Sequence, residues 1–192
     1  MTALRAERRG RVAVELDGER WRVLPAEVVV RAGLAVGQTL DRSALRLLRR
    51  ELRQAEAFAA AGRSLRARDL SSARLQERLE RAAVAPAARE EALAVLGRTG
   101  LVDDARFARN RAVVLADRGY GDAAIRADLE RQGIPPELGQ DAVTALEPEL
   151  ERARAVVRRR GEGPKTARYL AGRGFGEDAV AAAVRDPFAS DP

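Results

Sequence analysis

Two hydrophobic periods divide the chain. Val12, Val14 and Leu16 alternate with Arg11, Ala13 and Glu15, the dipeptide Asp17-Gly18 follows, and a second apolar-rich segment runs from Glu19 to Leu24. An Asp-Gly pair tolerates positive φ at both central positions of a tight turn, so this pattern predicts a two-residue β-hairpin. Its register sets Val12 opposite Val23, Val14 opposite Trp21 and Glu15 opposite Arg20. Pro25 suits the first position of a short helix, Ala26 to Arg31, which Gly33 stops; a turn at Val36-Gly37 then leads to an extended piece at Gln38 to Leu40. From Asp41 onward apolar residues recur at three and four, as at Leu45, Leu48, Leu52 and Ala55, with Asp41 or Ser43 able to cap the start. No strand-like alternation returns, so the remainder is predicted to be all helical.

Proline and glycine punctuate that helical remainder at a repeating interval. Shifted by 50 residues, Ser71, Leu75, Leu79, Ala83, Val84 and Pro86 fall on Gly121, Ile125, Leu129, Gly133, Ile134 and Pro136. A further shift of 41 places Leu129, Gly133, Ile134 and Val143 on Leu170, Gly174, Phe175 and Val184. The expected fold is mainly α, an elongated tandem array of three three-helix repeats behind a small hairpin-containing segment. The boundaries are 1–41 for the hairpin segment, 42–54 for a connecting helix, 55–100, 101–146 and 147–186 for the repeats, and 187–192 for a tail. Helices are expected near 55–67, 72–82 and 86–96, near 104–117, 122–132 and 136–146, and near 149–159, 164–172 and 177–185. One such unit covers its apolar stripe only in part, so neighbours must stack into a rod or crescent.

Composition narrows the chemistry. The 192 residues include no cysteine and no histidine, which removes disulfides, thiolate nucleophiles, imidazole bases and nearly every zinc or copper site. No run is long and apolar enough for a membrane span, and the start of the chain lacks an apolar signal region, so the expected location is the cytoplasm. The formal charge is +6, and Lys165 is the single lysine among 35 basic residues. An arginine-rich, alanine-rich composition reflects codon bias as well as function, which weakens any argument from arginine alone. The charge is uneven, with residues 101–150 net acidic and both ends net basic, a polarity suited to a partner of mixed charge such as a nucleoprotein.

Four constellations invite a chemical reading. Gly161-Glu162-Gly163-Pro164-Lys165-Thr166 ends like a phosphate loop, but Arg158-Arg159-Arg160 precede it where an apolar strand is required, so it reads as a helix start. Gly172-Arg173-Gly174-Phe175-Gly176 follows a helix and reads as a glycine stop. Asp103-Asp104 stands before a helical pattern and is better suited to capping than to acid/base work or magnesium. Tyr120, Tyr169 and Phe175 lie in apolar register and read as core. The basic set Arg152, Arg154, Arg158, Arg159, Arg160, Lys165, Arg168 and Arg173 has few acidic neighbours and surrounds a helix start, which fits either phosphate contact or pairing with a partner's carboxylates.

Gly100-Leu101-Val102-Asp103-Asp104-Ala105-Arg106-Phe107-Ala108, then Arg118-Gly119-Tyr120-Gly121, Ile125, Leu129 and Gly133-Ile134, resembles the central signature of the RecX regulatory proteins. The resemblance extends more loosely from about Ala55 to Arg185, and the hairpin segment is similar to an extension seen in some members. Where the family has an arginine-serine pair this chain has Leu70-Ser71, and where a glycine is expected before Val84 it has Ala83. The resemblance implies a non-enzymatic modulator of the RecA recombinase that binds the RecA filament on single-stranded DNA, in its groove or at its end, and inhibits ATP hydrolysis and strand exchange. It places the protein in homologous recombination, DNA repair and the SOS response. No cofactor or metal, a monomeric state and weaker contact with duplex DNA are expected. The alternative is a stand-alone DNA-binding or repressor-like protein, favoured by the high pI and the helix-turn-helix look of Gly121 to Leu146.

Overall fold

The alternating segment folds into an antiparallel sheet of order β1-β2-β3, formed by Ala3–Glu7, Arg11–Leu16 and Glu19–Pro25. This is a computed structural model, and it describes residues 1–185. Asp17 and Gly18 take φ of 51° and 85° at the β2–β3 turn, as that dipeptide allows. Glu15 pairs with Arg20 as expected, but a bulge beside Val14 shifts the rest by one, so that Val14 meets Arg22 and Val12 meets Leu24. Trp21 is the extra residue, which corrects the expected Val12–Val23 and Val14–Trp21 pairs. β1 has no hydrophobic alternation to announce it. It is held by its ladder and by ion pairs from Arg5 to Glu15 (2.7 Å) and from Arg20 to Glu7 (2.6 Å). Gln38 to Leu40 joins no strand; the amide of Gly37 donates to the Met1 carbonyl instead.

Ten helices follow among the described residues: α1 (Ala26–Arg31), α2 (Arg42–Ala67), α3 (Ser72–Arg81), α4 (Pro86–Arg98), α5 (Asp104–Asp117), α6 (Asp122–Arg131), α7 (Pro136–Thr144), α8 (Glu149–Arg160), α9 (Pro164–Gly172) and α10 (Glu177–Arg185). Asp41 starts α2 by accepting the Ala44 amide at 2.7 Å, and the helix then runs unbroken through the expected join at residues 54 and 55. Pro136 and Pro164 occupy first-turn positions, where a missing N–H costs nothing.

The chain divides into two compact units. One comprises Met1–Arg68 with Gln76–Leu96; the other comprises Asp69–Leu75 and the described residues from Gly97 onward. In the first, Val14, Leu24, Val28, Val29, Leu34 and Leu48 form a core between sheet, α1 and α2, and Ala57 packs on Ala88 and Ala92 of α4. The second holds two clusters. Phe107, Ala108, Leu115, Ile125, Leu129, Ile134 and Val143 join α5, α6 and α7, while Ala153, Val156, Val157, Leu170, Phe175 and Ala183 join α8, α9 and α10.

Three helix corners share one conformation. At Ala83, Gly133 and Gly174, which follow α3, α6 and α9, φ is 55°, 73° and 80°. The next amide in each case, of Val84, Ile134 or Phe175, donates back to Leu79, Leu129 or Leu170. This left-handed closure satisfies helix-end carbonyls and turns the chain sharply into the next helix.

Candidate partner-binding surface

Most residues of the motif from Asp103 to Ile134 pack in the core or cap helices. Phe107, Ala108, Ile125, Leu129 and Ile134 are buried in one cluster, and Tyr120 packs against it half-buried. Asp103 caps α5 through the Arg106 amide at 2.9 Å, and that bond holds its carboxyl below the usual carboxylate range. Asp104 does something else: its Oδ1 accepts the amide of Ser72, the first residue of α3, at 2.8 Å. Glu149 repeats the device one helix set later, accepting the Asp122 amide at 2.6 Å and the Gly176 amide at 3.2 Å. The first carboxylate of α5 and that of α8 thus each cap a helix start distant in sequence.

Glycine makes the accompanying contacts. Gly121 donates its amide to Arg173 O at 2.9 Å, and a Cβ there would lie 2.3 Å from the Phe175 nitrogen. At Gly133 an added Cβ would lie 2.4 Å from Ala73 Cβ, and at Gly174 it would lie 2.6 Å from Ala124 Cβ. Ser71, the counterpart of Gly121, is fully buried and uses its hydroxyl to donate to Gln132 O.

The basic set separates into inward and outward members. Arg152 is 9% exposed, and its guanidinium donates to Glu147 O, to Tyr120 O and to the Asp122 carboxylate while lying 5.8 Å from the Phe175 ring. Three of its five N–H groups are thus used within the chain, so Arg152 is chiefly a structural residue, although it also lines the cleft described below. Arg154 pairs with Glu151 at 2.9 Å, and its Nε is buried without a partner. Arg160 stacks 3.9 Å from the Tyr169 ring centre, and Arg173 lies between the rings of Tyr169 and Tyr120 at 5.2 and 4.6 Å. Tyr120 and Tyr169, expected as core, are therefore half-buried and faced by arginines, whereas Phe175 is buried at 6%. Arg158, Arg159, Lys165 and Arg168 remain exposed. The former phosphate-loop candidate is the start of α9, with Pro164 in its first turn and the buried Thr166 donating to Gly161 O at 2.7 Å.

Arg158 and Arg159 open onto a cleft of about 630 Å³ whose other walls include Val113, Ala116 and Asp117 of α5, together with Leu146, Glu147 and Phe175. Val113 is 49% exposed there. The cleft carries apolar floor and charges of both signs. Among the described residues no group of three or more His, Cys, Asp and Glu side chains is placed to hold a metal, and no helix is long and apolar enough to cross a membrane. A second basic feature, which the sequence reading did not single out, lies on α2: Arg46, Arg49, Arg50 and Arg53 recur at helical spacing beside the start of α4. Their i, i+3, i+4, i+7 period was the available signal.

The fold is that of a mainly helical protein with a small antiparallel sheet at its start and exposed charged faces. A family model described as RecX, second three-helix domain, matches residues 103–143, which enclose α5 and α6 and nearly all of α7. The Regulatory protein RecX of Stenotrophomonas maltophilia (strain R551-3) is 38% identical over 131 residues, covering 62% of this chain and 80% of that protein. That of Deinococcus radiodurans is 32% identical over 147 residues, 71% of each chain. A crystal structure of regulatory protein RecX superposes with a TM-score of 0.81 at 22% identity, over 96% of this chain and 98% of the other, and RecX from Lactobacillus salivarius does so at 0.63, 16% identity, 70% and 96%. The chain belongs to the RecX family of regulatory proteins.

Proposed function

We propose that this protein acts without catalysis on the RecA filament assembled on single-stranded DNA, binding in its groove or at its end and restraining ATP hydrolysis and strand exchange. The reading rests on the membership of the family and on what the resemblance implies about its members. The observation that carries it is the cleft between α5 and α8, where Arg158 and Arg159 stand with Asp117 and Glu147 around Val113 and Ala116. An apolar floor bordered by both signs of charge complements a protein surface better than a row of phosphates. The modular division at residues 55–100, 101–146 and 147–186 is part of the same proposal: each module carries, between its second and third helices, the left-handed corner seen at Ala83, Gly133 and Gly174. A cytoplasmic, monomeric protein follows from it.

The test is RecA-catalysed, DNA-dependent ATP hydrolysis with this protein added at substoichiometric and stoichiometric amounts. The wild-type chain is expected to inhibit, and inhibition far below one molecule per protomer points to action at filament ends. Arg158→Ala/Arg159→Ala is expected to remain folded and to inhibit at least about tenfold less effectively, since exposed arginines contribute little to stability. Arg160 is left intact because it stacks on Tyr169. Undiminished inhibition by the folded variant removes the cleft from the proposal, and the absence of any effect of the wild type on RecA refutes the proposal itself.

A further inference from the structure

We infer that the segment 186–192 of this chain folds back into the cleft between α5 and α8 and occupies it until a partner displaces it. The inference rests on the RecA reading only for the identity of that partner, and the docking itself is tested without RecA.

The course of α10 carries the segment to the cleft. The Gly176 amide donates to Glu149, at the start of α8, at 3.2 Å, and Ala183 lies in one buried cluster with Val156 and Val157. α10 therefore runs alongside α8 in the same direction. Residues 176 to 185 and residues 149 to 158 span equal lengths of helix, so α10 ends level with Arg158 and Arg159. Helices end at or before the residue that precedes a proline, and Pro187 stands just beyond that point. Asp186-Pro187-Phe188-Ala189-Ser190-Asp191-Pro192 follows and lies outside the described residues. Fully extended, such a segment reaches about 23 Å, roughly twice the diameter of a helix, which is enough to pass around α8 to its other side.

Segment and cleft are complementary in charge and in polarity. The segment carries two aspartates and no basic residue, with Phe188 between them. Arg158 and Arg159 are exposed at the end of the cleft nearest to α10. Arg159 Nε donates to the Ala155 carbonyl at 3.2 Å, and neither arginine has a carboxylate within ion-pair distance among the described residues. The acids of the cleft, Asp117 and Glu147, stand on the wall of α5 and before the start of α8, so aspartates entering from α10 meet the arginines first. Between these charges lies the apolar floor of Val113, Ala116, Leu146 and Phe175. Phe58, Phe107 and Phe175 all pack into core clusters, and Phe188 is the remaining phenylalanine of the chain. The half-exposed Val113 offers its ring a surface that removes both from water.

Tethering turns this complementarity into occupancy. A segment on so short a connection meets the cleft at an effective concentration in the millimolar range, so a contact too weak to hold a free peptide still fills the site. A partner competing for the same cleft is then bound more weakly, in proportion to the fraction of molecules whose cleft is open. The segment thereby sets the threshold at which the protein engages its partner.

The chain has no cysteine, so Ser190→Cys accepts a single nitroxide label in the full chain. With the label oxidised, the NMR signals of Val113, Ala116 and Leu146 are expected to broaden more than those of Lys165 and Thr166, which begin α9 beside the same end of α8. They are expected to recover when Phe188→Ala, Asp186→Asn/Asp191→Asn or Arg158→Ala/Arg159→Ala is added. A segment that merely trails from α10 broadens both groups alike. Equal broadening, broadening confined to α10, or broadening that survives all three substitutions overturns the inference. Competition is read in RecA-catalysed ATP hydrolysis, where Phe188→Ala is expected to inhibit at a concentration at least about threefold lower than the wild type. An unchanged concentration overturns the regulatory role. If the wild type leaves RecA unaffected, the RecA reading fails, and the NMR comparison still decides the docking.

Discussion

The corner after α3 and the corner after α9 have the same backbone but different surroundings. Ala83 and Gly174 both hold φ in the left-handed region, at 55° and 80°. Ala83 is exposed, whereas Gly174 accepts the Ala123 amide through its carbonyl, and its α-carbon faces Ala124 so closely that no Cβ fits. The corner after α6 sides with the latter, since Gly133 is approached by Ala73. Glycine therefore answers two requirements at Gly133 and Gly174, and one of them, the close approach of another helix, is absent at Ala83. An alanine survives at Ala83 because only the conformational cost, about 1 to 2 kcal/mol, has to be borne there.

Substitution at the docked corner should have the largest effect. Gly174→Ala adds a left-handed strain and an overlap with Ala124, and is expected to destabilise by about 3 kcal/mol in urea unfolding. A loss under about 1 kcal/mol would mean that the two helices separate at little cost and that the docking is not what selects glycine. Next comes Arg152→Ala, which leaves the Asp122 carboxylate and the Tyr120 carbonyl without their donor and is expected to cost about 2 kcal/mol. Arg158→Ala, six residues further along α8, should change stability by less than about 0.5 kcal/mol. Equal effects of the two would erase the division between inward and outward arginines.

The pH dependence comes from the α5–α6 contact. Arg111 grips Asp128 through two bonds, at 2.8 and 3.1 Å, and this holds the Asp128 carboxyl below its ordinary value, with Arg131 adding to the effect. A carboxyl depressed by folding contributes stability that is fully present above its unfolded value, near 3.9, and is lost as pH falls through the folded one. Asp128→Asn should lower stability at pH 7 by about 1 kcal/mol and flatten the acid limb of the stability curve below about pH 4; an unchanged acid limb would show that the pair is not maintained in solution. Smallest is Ala83→Gly, expected to stabilise by about 0.5 to 1 kcal/mol as a rise in melting temperature, because glycine removes the strain where nothing docks. A fall would show that a hidden contact to the Ala83 methyl group matters.

Arg152 shows why the basic set was only partly legible. Counted from the capping carboxylates Asp104 and Glu149, position 107 of α5 corresponds to position 152 of α8. The first is a core phenylalanine and the second a buried arginine beside Phe175. The clue was its phase, since Arg152 precedes Val156 by one turn and shares the buried face of Ala153 and Val157. A run of charge reads as surface unless its helical phase is weighed against its neighbours. Asp104 caps as its position suggests, but the helix start it serves is that of α3, and only the folded chain brings Ser72 to it.

Local chemistry was readable residue by residue. Asp17-Gly18 predicted the β2–β3 turn, Asp41 and Asp103 the starts of α2 and α5, and the glycine and proline punctuation the succession of helices, because each acts within a few bonds of itself. Tertiary packing decided the rest: the bulge that ejects Trp21, the strand Ala3–Glu7, the burial of Arg152 and the convergence of four arginines beside α4. Those outcomes depend on which distant backbone donors, carbonyls and apolar faces arrive at a given side chain, and no local period along the chain encodes that arrival.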